Sequence, residues 1–197
     1  MRPGSKVVVG VGGNIGAGKT TVVGVFKELG SQCIGADELG WEVLPAIVDV
    51  LQEEFGEDIV NGCAIDRKRL RDVVFSDRKK LRFLNRVSHP PLVKKIIGRV
   101  KQAKPGVVVI DAALLFDWPQ VYRIVDIAIL VRSPRSRMAA RARAKGITPR
   151  LLSTILATQK NDREMARKAD IVIDNDGTKA QLRLKCRAIY RRIEDDC

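Results

Sequence analysis

Two rhythms of apolar residues alternate along this chain. Short runs rich in valine and isoleucine fall at 7–11, 107–110, 127–131 and 171–173, and Gln32-Cys33-Ile34-Gly35-Ala36 reads as a further short strand. Their length predicts five strands, and the β-branched run at 7–11 suits a buried one. Between them apolar positions recur at the three-to-four spacing of amphipathic helices: Val22, Val23 and Phe26; Leu70, Val73 and Val74; Leu81, Leu84 and Val87; Val93, Ile96, Ile97 and Val100; Leu152, Ile155 and Leu156; Leu182, Cys186, Ile189 and Ile193. Strand and helix in alternation predict an α/β fold with a parallel sheet. Leu29-Gly30 ends the first helix, and a second is expected over 38–55. Asn61-Gly62 and His89-Pro90-Pro91 punctuate the helical stretch 38–104, which Pro105-Gly106 closes with a turn. Gly146 breaks a helix, Thr148-Pro149 caps the next, and the tail 194–197 is expected to fray.

The first strand runs into Gly13-Asn14-Ile15-Gly16-Ala17-Gly18-Lys19-Thr20-Thr21, which fits the phosphate-binding loop pattern Gly-x-x-x-x-Gly-Lys-Ser/Thr. Each position has a physical use. Glycines at 13, 16 and 18 let successive N–H groups converge on phosphate oxygens, Lys19 neutralises the β- and γ-phosphates, and the Thr20 hydroxyl can coordinate Mg²⁺. The following helix directs its dipole at the same anion. A dinucleotide fingerprint fits poorly: Gly10-x-Gly12 begins it, but Ile15 occupies the place of the third glycine.

Ligands of an open parallel sheet gather outside the carboxyl ends of its strands. Asp37 follows the second strand there, either as a carboxylate facing the γ-phosphate or as an N-cap, and the two roles are compatible. Asp111 ends the third strand, as a Walker-B-like Mg²⁺ ligand or as a cap. The apolar run 112–116 is expected to bring Phe116 and Asp117 out near a pocket. After the fourth strand a basic helix holds Arg135, Arg137, Arg141, Arg143 and Lys145. Most of these read as a solvated face, while one or two arginines would fold over the nucleotide. Gln159 extends the apolar stripe of the next helix and needs a hydrogen-bond partner, in a lid or in the fold itself. His89, the sole histidine, either caps and packs or touches a substrate.

Composition narrows the class. At 197 residues and 45% hydrophobic the chain can bury one sizeable core. Its apolar runs are too short to span a bilayer and its N-terminus lacks a secretory pattern, so a soluble, cytoplasmic protein is expected. Cys33, Cys63, Cys186 and Cys197 are scattered without zinc or redox spacing and read as buried or free thiols. A net charge of +13 suits polyphosphate substrates and would also hold nucleic acid in a salt-dependent way. Aromatics at 5% argue against a stacking platform for single strands, so nucleic acid is not expected as the physiological partner.

With these pieces placed, the chain resembles the dephospho-CoA kinase family over nearly its whole length. The family pattern Gly-Leu-Thr-Gly-Gly-Ile-Gly-Ser-Gly-Lys-Ser/Thr-Thr stands here as residues 10–21; Asp-Ala-Asp as Gly35-Ala36-Asp37; the helical segment as Asp66-Arg67, Leu70, Val74-Phe75, Leu84 and His89-Pro90. Pro-Leu-Leu-Phe-Glu stands as 113–117, and Gln159 with 169–177 follows the remaining elements. Gly35 lacks the first acid, Ala113 replaces proline and Asp117 replaces glutamate. The spacing from Arg141 or Arg143 to Thr148 is longer than the family's. The resemblance implies one three-layer kinase domain with a core of 6–37, 105–134 and 168–197, an inserted helical substrate lobe 38–104 and a helical lid 135–167. It implies ATP with Mg²⁺ as donor and 3′-dephospho-CoA as acceptor. It further implies Asp37 and Lys19 in catalysis, residues 13–21, Arg141, Arg143, Asn175 and Gly177 on ATP, and Arg67, His89, Leu115, Phe116 and Gln159 near the acceptor.

Overall fold

The structure, a computed structural model, describes residues 5–62 and 64–195; the thiols of Cys63 and Cys197 and the end of the tail lie outside them. In chain order, β1 (Lys6–Gly12) leads to α1 (Lys19–Glu28) and β2 (Gln32–Gly35). There follow α2 (Ala36–Val43), α3 (Val48–Phe55), β3 (Val60–Asn61), β4 (Ala64–Ile65), α4 (Arg67–Ser76) and α5 (Arg78–Gln102). The remainder is β5 (Gly106–Asp111), α6 (Pro119–Tyr122), β6 (Ile127–Arg132), α7 (Arg135–Ala144), α8 (Pro149–Leu156), α9 (Asp162–Ala166), β7 (Ile171–Asp174) and α10 (Lys179–Asp195). These form two compact units, one comprising 1–36 and 96–197, the other Asp37–Lys95.

The larger unit is built on a five-stranded, all-parallel sheet in the order β2-β5-β1-β6-β7. The period-2 alternation of β1 decides what covers each face. Val9 and Val11 are fully buried against Val22 and Phe26 of α1 and Cys186 and Tyr190 of α10, with Phe26 and Tyr190 edge-to-face at 5.4 Å. Each such valine contributes roughly 1.5–3 kcal/mol by leaving water. Gly10 and Gly12 face the other way, where a Cβ would meet Leu115 at 2.7 Å and Phe116 at 2.5 Å. The turn 115–117 thus lies tightly on that face because β1 carries no side chain there.

The smaller unit has its own core of Leu44, Leu51, Ile59, Leu70, Val74 and Leu81, with Trp41, Phe55 and Phe83 packed against it. Three expectations change here. The helix over 38–55 is two helices, separated by a 3₁₀ turn, Leu44–Ile47, with Pro45 in its first positions. His89-Pro90-Pro91 does not end a helix, since α5 runs through both prolines. Each proline gives up its own N–H bond and crowds the carbonyl four residues back, a cost of about 3 kcal/mol that the cooperative length of this 25-residue helix offsets. Asn61-Gly62 turns a short antiparallel hairpin, not a helix boundary. In the larger unit Glu194 still belongs to α10, so the helix reaches into the tail expected to fray.

Candidate functional site

The phosphate loop joins β1 to α1 at the carboxyl edge of the sheet, and its glycines are needed for space as well as for backbone angle. Gly13 has φ 139°, and a Cβ there would lie 2.1 Å from the Val131 carbonyl oxygen of β6. Gly18 caps α1 with φ 110°, and a Cβ would lie 2.2 Å from Asn175 Nδ2. The loop is therefore fitted against β6 and against the segment after β7. Lys19 curls over it, donating to Gly13 O at 2.8 Å and Asn14 O at 3.4 Å. Thr20 is exposed at the start of α1 and Thr21 is half-buried.

A polar network holds the far side of the loop. Asn175 is buried; its Nδ2 donates to Ala17 O at 2.8 Å, and its own N–H donates to Arg132 O. The buried Ser133 hydroxyl donates to Asn175 O at 2.6 Å and accepts from Arg141 Nη1 at 3.0 Å. Arg141 Nη1 also donates to Gly16 O at 2.9 Å and Ala17 O at 3.3 Å. Burial, then the nearby Arg137 charge, pulls the Arg141 guanidinium below its usual range. Arginine nonetheless stays charged at any physiological pH. Arg137 pins Gly177 O at 2.8 Å. Arg143, the alternative lid arginine, is exposed and lines a cavity of ≈ 580 Å³ between α7 and α8 with Arg135, Leu152 and Leu156. No loop residue borders that cavity, so its size does not make it the donor site. A smaller cleft of ≈ 300 Å³ lies beside 174–177, Gln181 and Lys185.

The segment after α8 closes the other side. Gln159 lies past the end of its helix, and its Oε1 accepts from the Ile15 N–H at 3.1 Å. The partner this amide required is the loop backbone. Asn14 Nδ2 donates to Asp162 Oδ1 at 2.9 Å, and burial raises the Asp162 carboxyl. Lys160 pairs with Asp117 at 2.7 Å and donates to Phe116 O at 3.0 Å. Leu115 and Phe116 are buried against Gly10 and Gly12 of β1, so Phe116 does not emerge at a pocket as expected, because the side-chain-free face of β1 takes it in. Asp111 is half-buried at the end of β5, in register with Val11 of β1 and Gly35 of β2. Arg132 and Asp174, register partners at the ends of β6 and β7, form a two-pronged ion pair at 2.5 and 3.2 Å.

Arg141, Gln159 and Asn175 thus gather around the loop at 13–21, while Gly177 is tied to Arg137. Asp37, Arg67 and His89 belong to the smaller unit. Asp37 is exposed at the second position of α2, not at its N-cap, because Ala36 is already helical. Its charge still favours a helix N-terminus. Arg67 is exposed with its guanidinium 4.7 Å above the Trp41 ring, beside Asp66, which caps α4. His89 is half-buried within α5.

The sequence profile of the family described as dephospho-CoA kinase matches residues 7–181. The chain belongs to the dephospho-CoA kinase family. It is 31% identical to a dephospho-CoA kinase of Chlorobaculum tepidum, over 98% of each chain. A solved Thermus thermophilus protein superposes with a TM-score of 0.78 at 25% identity, over 95% of this chain and 98% of that one. A solved dephospho-CoA kinase from Campylobacter jejuni has the same fold, with a TM-score of 0.65 at 22% identity over 95% and 97%. In this member of the dephospho-CoA kinase family, Ser133 and Asp162 touch the phosphate loop or its neighbours without having stood out in the sequence, and Arg137, one of the basic-helix arginines, holds Gly177 O. For Ser133 a signal existed, since it follows the carboxyl end of β6, the edge where ligands gather. Asp162 had none: nothing local ties it to a residue 148 positions away.

Proposed function

We propose the following division of labour for this enzyme, an ATP-dependent kinase that transfers the γ-phosphoryl group to the 3′-hydroxyl of 3′-dephospho-CoA, the last step of coenzyme A synthesis. The observation that carries it is the convergence of Lys19, Arg141 and Asn175 on one glycine-lined loop. The backbone N–H groups of 13–21 cradle the β- and γ-phosphates, and Lys19 leaves its loop carbonyls to neutralise them. Arg141, already braced on Gly16 O and Ser133, supplies fixed positive charge to the transferring group. Asn175 and Gly177 bound the remainder of the donor site.

The exposed Thr20, through its hydroxyl, and the half-buried Asp111, through its carboxylate, offer the sparse, all-oxygen donor set that Mg²⁺ takes when substrate phosphates complete its shell. When bound there, the ion would offset charge on the β- and γ-oxygens. Asp37 orients the acceptor hydroxyl and takes its proton late, as a loose phosphoryl-transfer transition state allows. Arg67 and His89 serve the acceptor from the inserted substrate lobe 38–104, and segment 135–167 acts as the lid that shuts water out. A reducing cytoplasm suits the free thiols Cys33 and Cys186. The test is Asp37→Asn. Turnover should fall by about 10²-fold or more, the range for loss of a general base, while calorimetric ATP binding survives. A near-wild-type rate would remove Asp37 from the mechanism.

A further inference from the structure

Two contacts join the donor loop to the segment after α8, and they differ in kind. Gln159 Oε1 occupies a backbone donor, the Ile15 N–H, which belongs to the set that cradles phosphate. Asp162 instead holds a side chain, the Asn14 amide, at 2.9 Å. An arriving phosphate competes for the first and leaves the second intact. Asp162 is also well anchored: it opens α9, which Asn161 caps through the Glu164 N–H at 2.9 Å and Met165 buries. The charges of Arg132 and Arg135 face it, partly offset by Asp174. The side chain at 14 is what makes the contact possible, and the family pattern has glycine there.

We propose that Asp162 is a positioning residue for phosphoryl transfer: by gripping the Asn14 amide it keeps segment 159–162 on the loop while ATP displaces Gln159, so that water is excluded when the donor is bound. This rests on the donor-site reading above. Without the grip, water attacks the γ-phosphorus in place of the acceptor hydroxyl. The bond to ADP breaks and the products are ADP and inorganic phosphate, so the defect is read as uncoupled hydrolysis.

The experiment compares wild type, Asn14→Gly, Asp162→Ala and the double variant, as the ratio of ADP formed without acceptor to phosphorylated product formed with dephospho-CoA. Each single variant should raise the ratio by about tenfold, the scale of one hydrogen bond to a charged group. The double variant should raise it no further, because both changes remove the same bond. Asp162→Asn retains an acceptor oxygen and should restore the wild-type ratio. Asn14→Gly installs the glycine of the family pattern and keeps the test independent of any folding defect in Asp162→Ala. Unchanged ratios in the single variants, or a double variant equal to the product of the singles, would overturn the proposal. If wild type failed to phosphorylate dephospho-CoA, the acceptor assignment would fall. Acceptor-free ADP formation would still decide on Asp162, rising in both single variants if it positions the segment and staying level if it does not.

Discussion

Arg141→Ala removes a guanidinium that donates to Gly16 O at 2.9 Å and Ala17 O at 3.3 Å, and to the Ser133 hydroxyl at 3.0 Å. A fourth contact, Nη2 to Asn175 O, is 3.5 Å long and adds little. Counting one full hydrogen bond from a charged donor gives about 1.5–3 kcal/mol, or roughly 10–150-fold in affinity. The loop loses its brace and the donor loses a fixed charge, so the KM for ATP should rise by that factor and kcat should fall with it. Arg143→Ala provides the contrast, because Arg143 is exposed on the α7–α8 cavity and touches no loop atom. Its effect should stay within about twofold, as for an ordinary surface change. A coupled ADP assay at saturating acceptor, titrated in ATP, measures both. Equal losses in the two variants, or a larger loss in Arg143→Ala, would refute the assignment of Arg141 as the arginine of the donor site.

Two further outcomes follow from the geometry. Gly13→Ala places a methyl 2.1 Å from the Val131 carbonyl at a left-handed backbone angle. Strain of about 1–2 kcal/mol and overpacking of about 1–3 kcal/mol should lower the thermal midpoint by roughly 5–15 °C, read by calorimetry, and abolish ATP binding. Arg132 holds the Asp174 carboxyl below its usual range, first through the side-chain hydrogen bond. A depressed folded value means stabilisation that is present above the unfolded value of about 3.9 and lost as pH falls through the folded one. Because the pair is substantially exposed, the effect is small. The urea midpoints of wild type and Asp174→Asn should therefore differ slightly at pH 6 and converge toward pH 2.

The parts of this molecule governed by local rules were legible from its residues. The five strands were visible as short apolar runs bounded by turn residues, including the half-covered edge strands β2 and β7, and the loop motif fixed where β1 meets α1. The smaller unit was read less well. Pro45 broke an expected helix whereas Pro90 and Pro91 did not, and sequence pattern alone cannot tell a proline that a long helix absorbs from one that ends it. Site contacts followed the same division. Asn175 was singled out by a motif, but Ser133, Arg137 and Asp162 find their partners through pairings across 40–148 positions of chain. No periodicity encodes such pairings. Gln159 lay between these cases: its polarity on an apolar stripe announced that a partner was needed, and only the fold identified the Ile15 N–H.

The central claim is that the loop feeds one acceptor. It is tested most directly by incubating the protein with ATP and 3′-dephospho-CoA, alongside AMP, shikimate and RNA as alternatives, and following ADP release together with the mass and ³¹P spectrum of the product. The account requires one phosphate added at the 3′-hydroxyl of dephospho-CoA, with one ADP per product and little turnover in the other reactions. ADP release that is equal without acceptor, stimulated by RNA, or faster with another acceptor would contradict it.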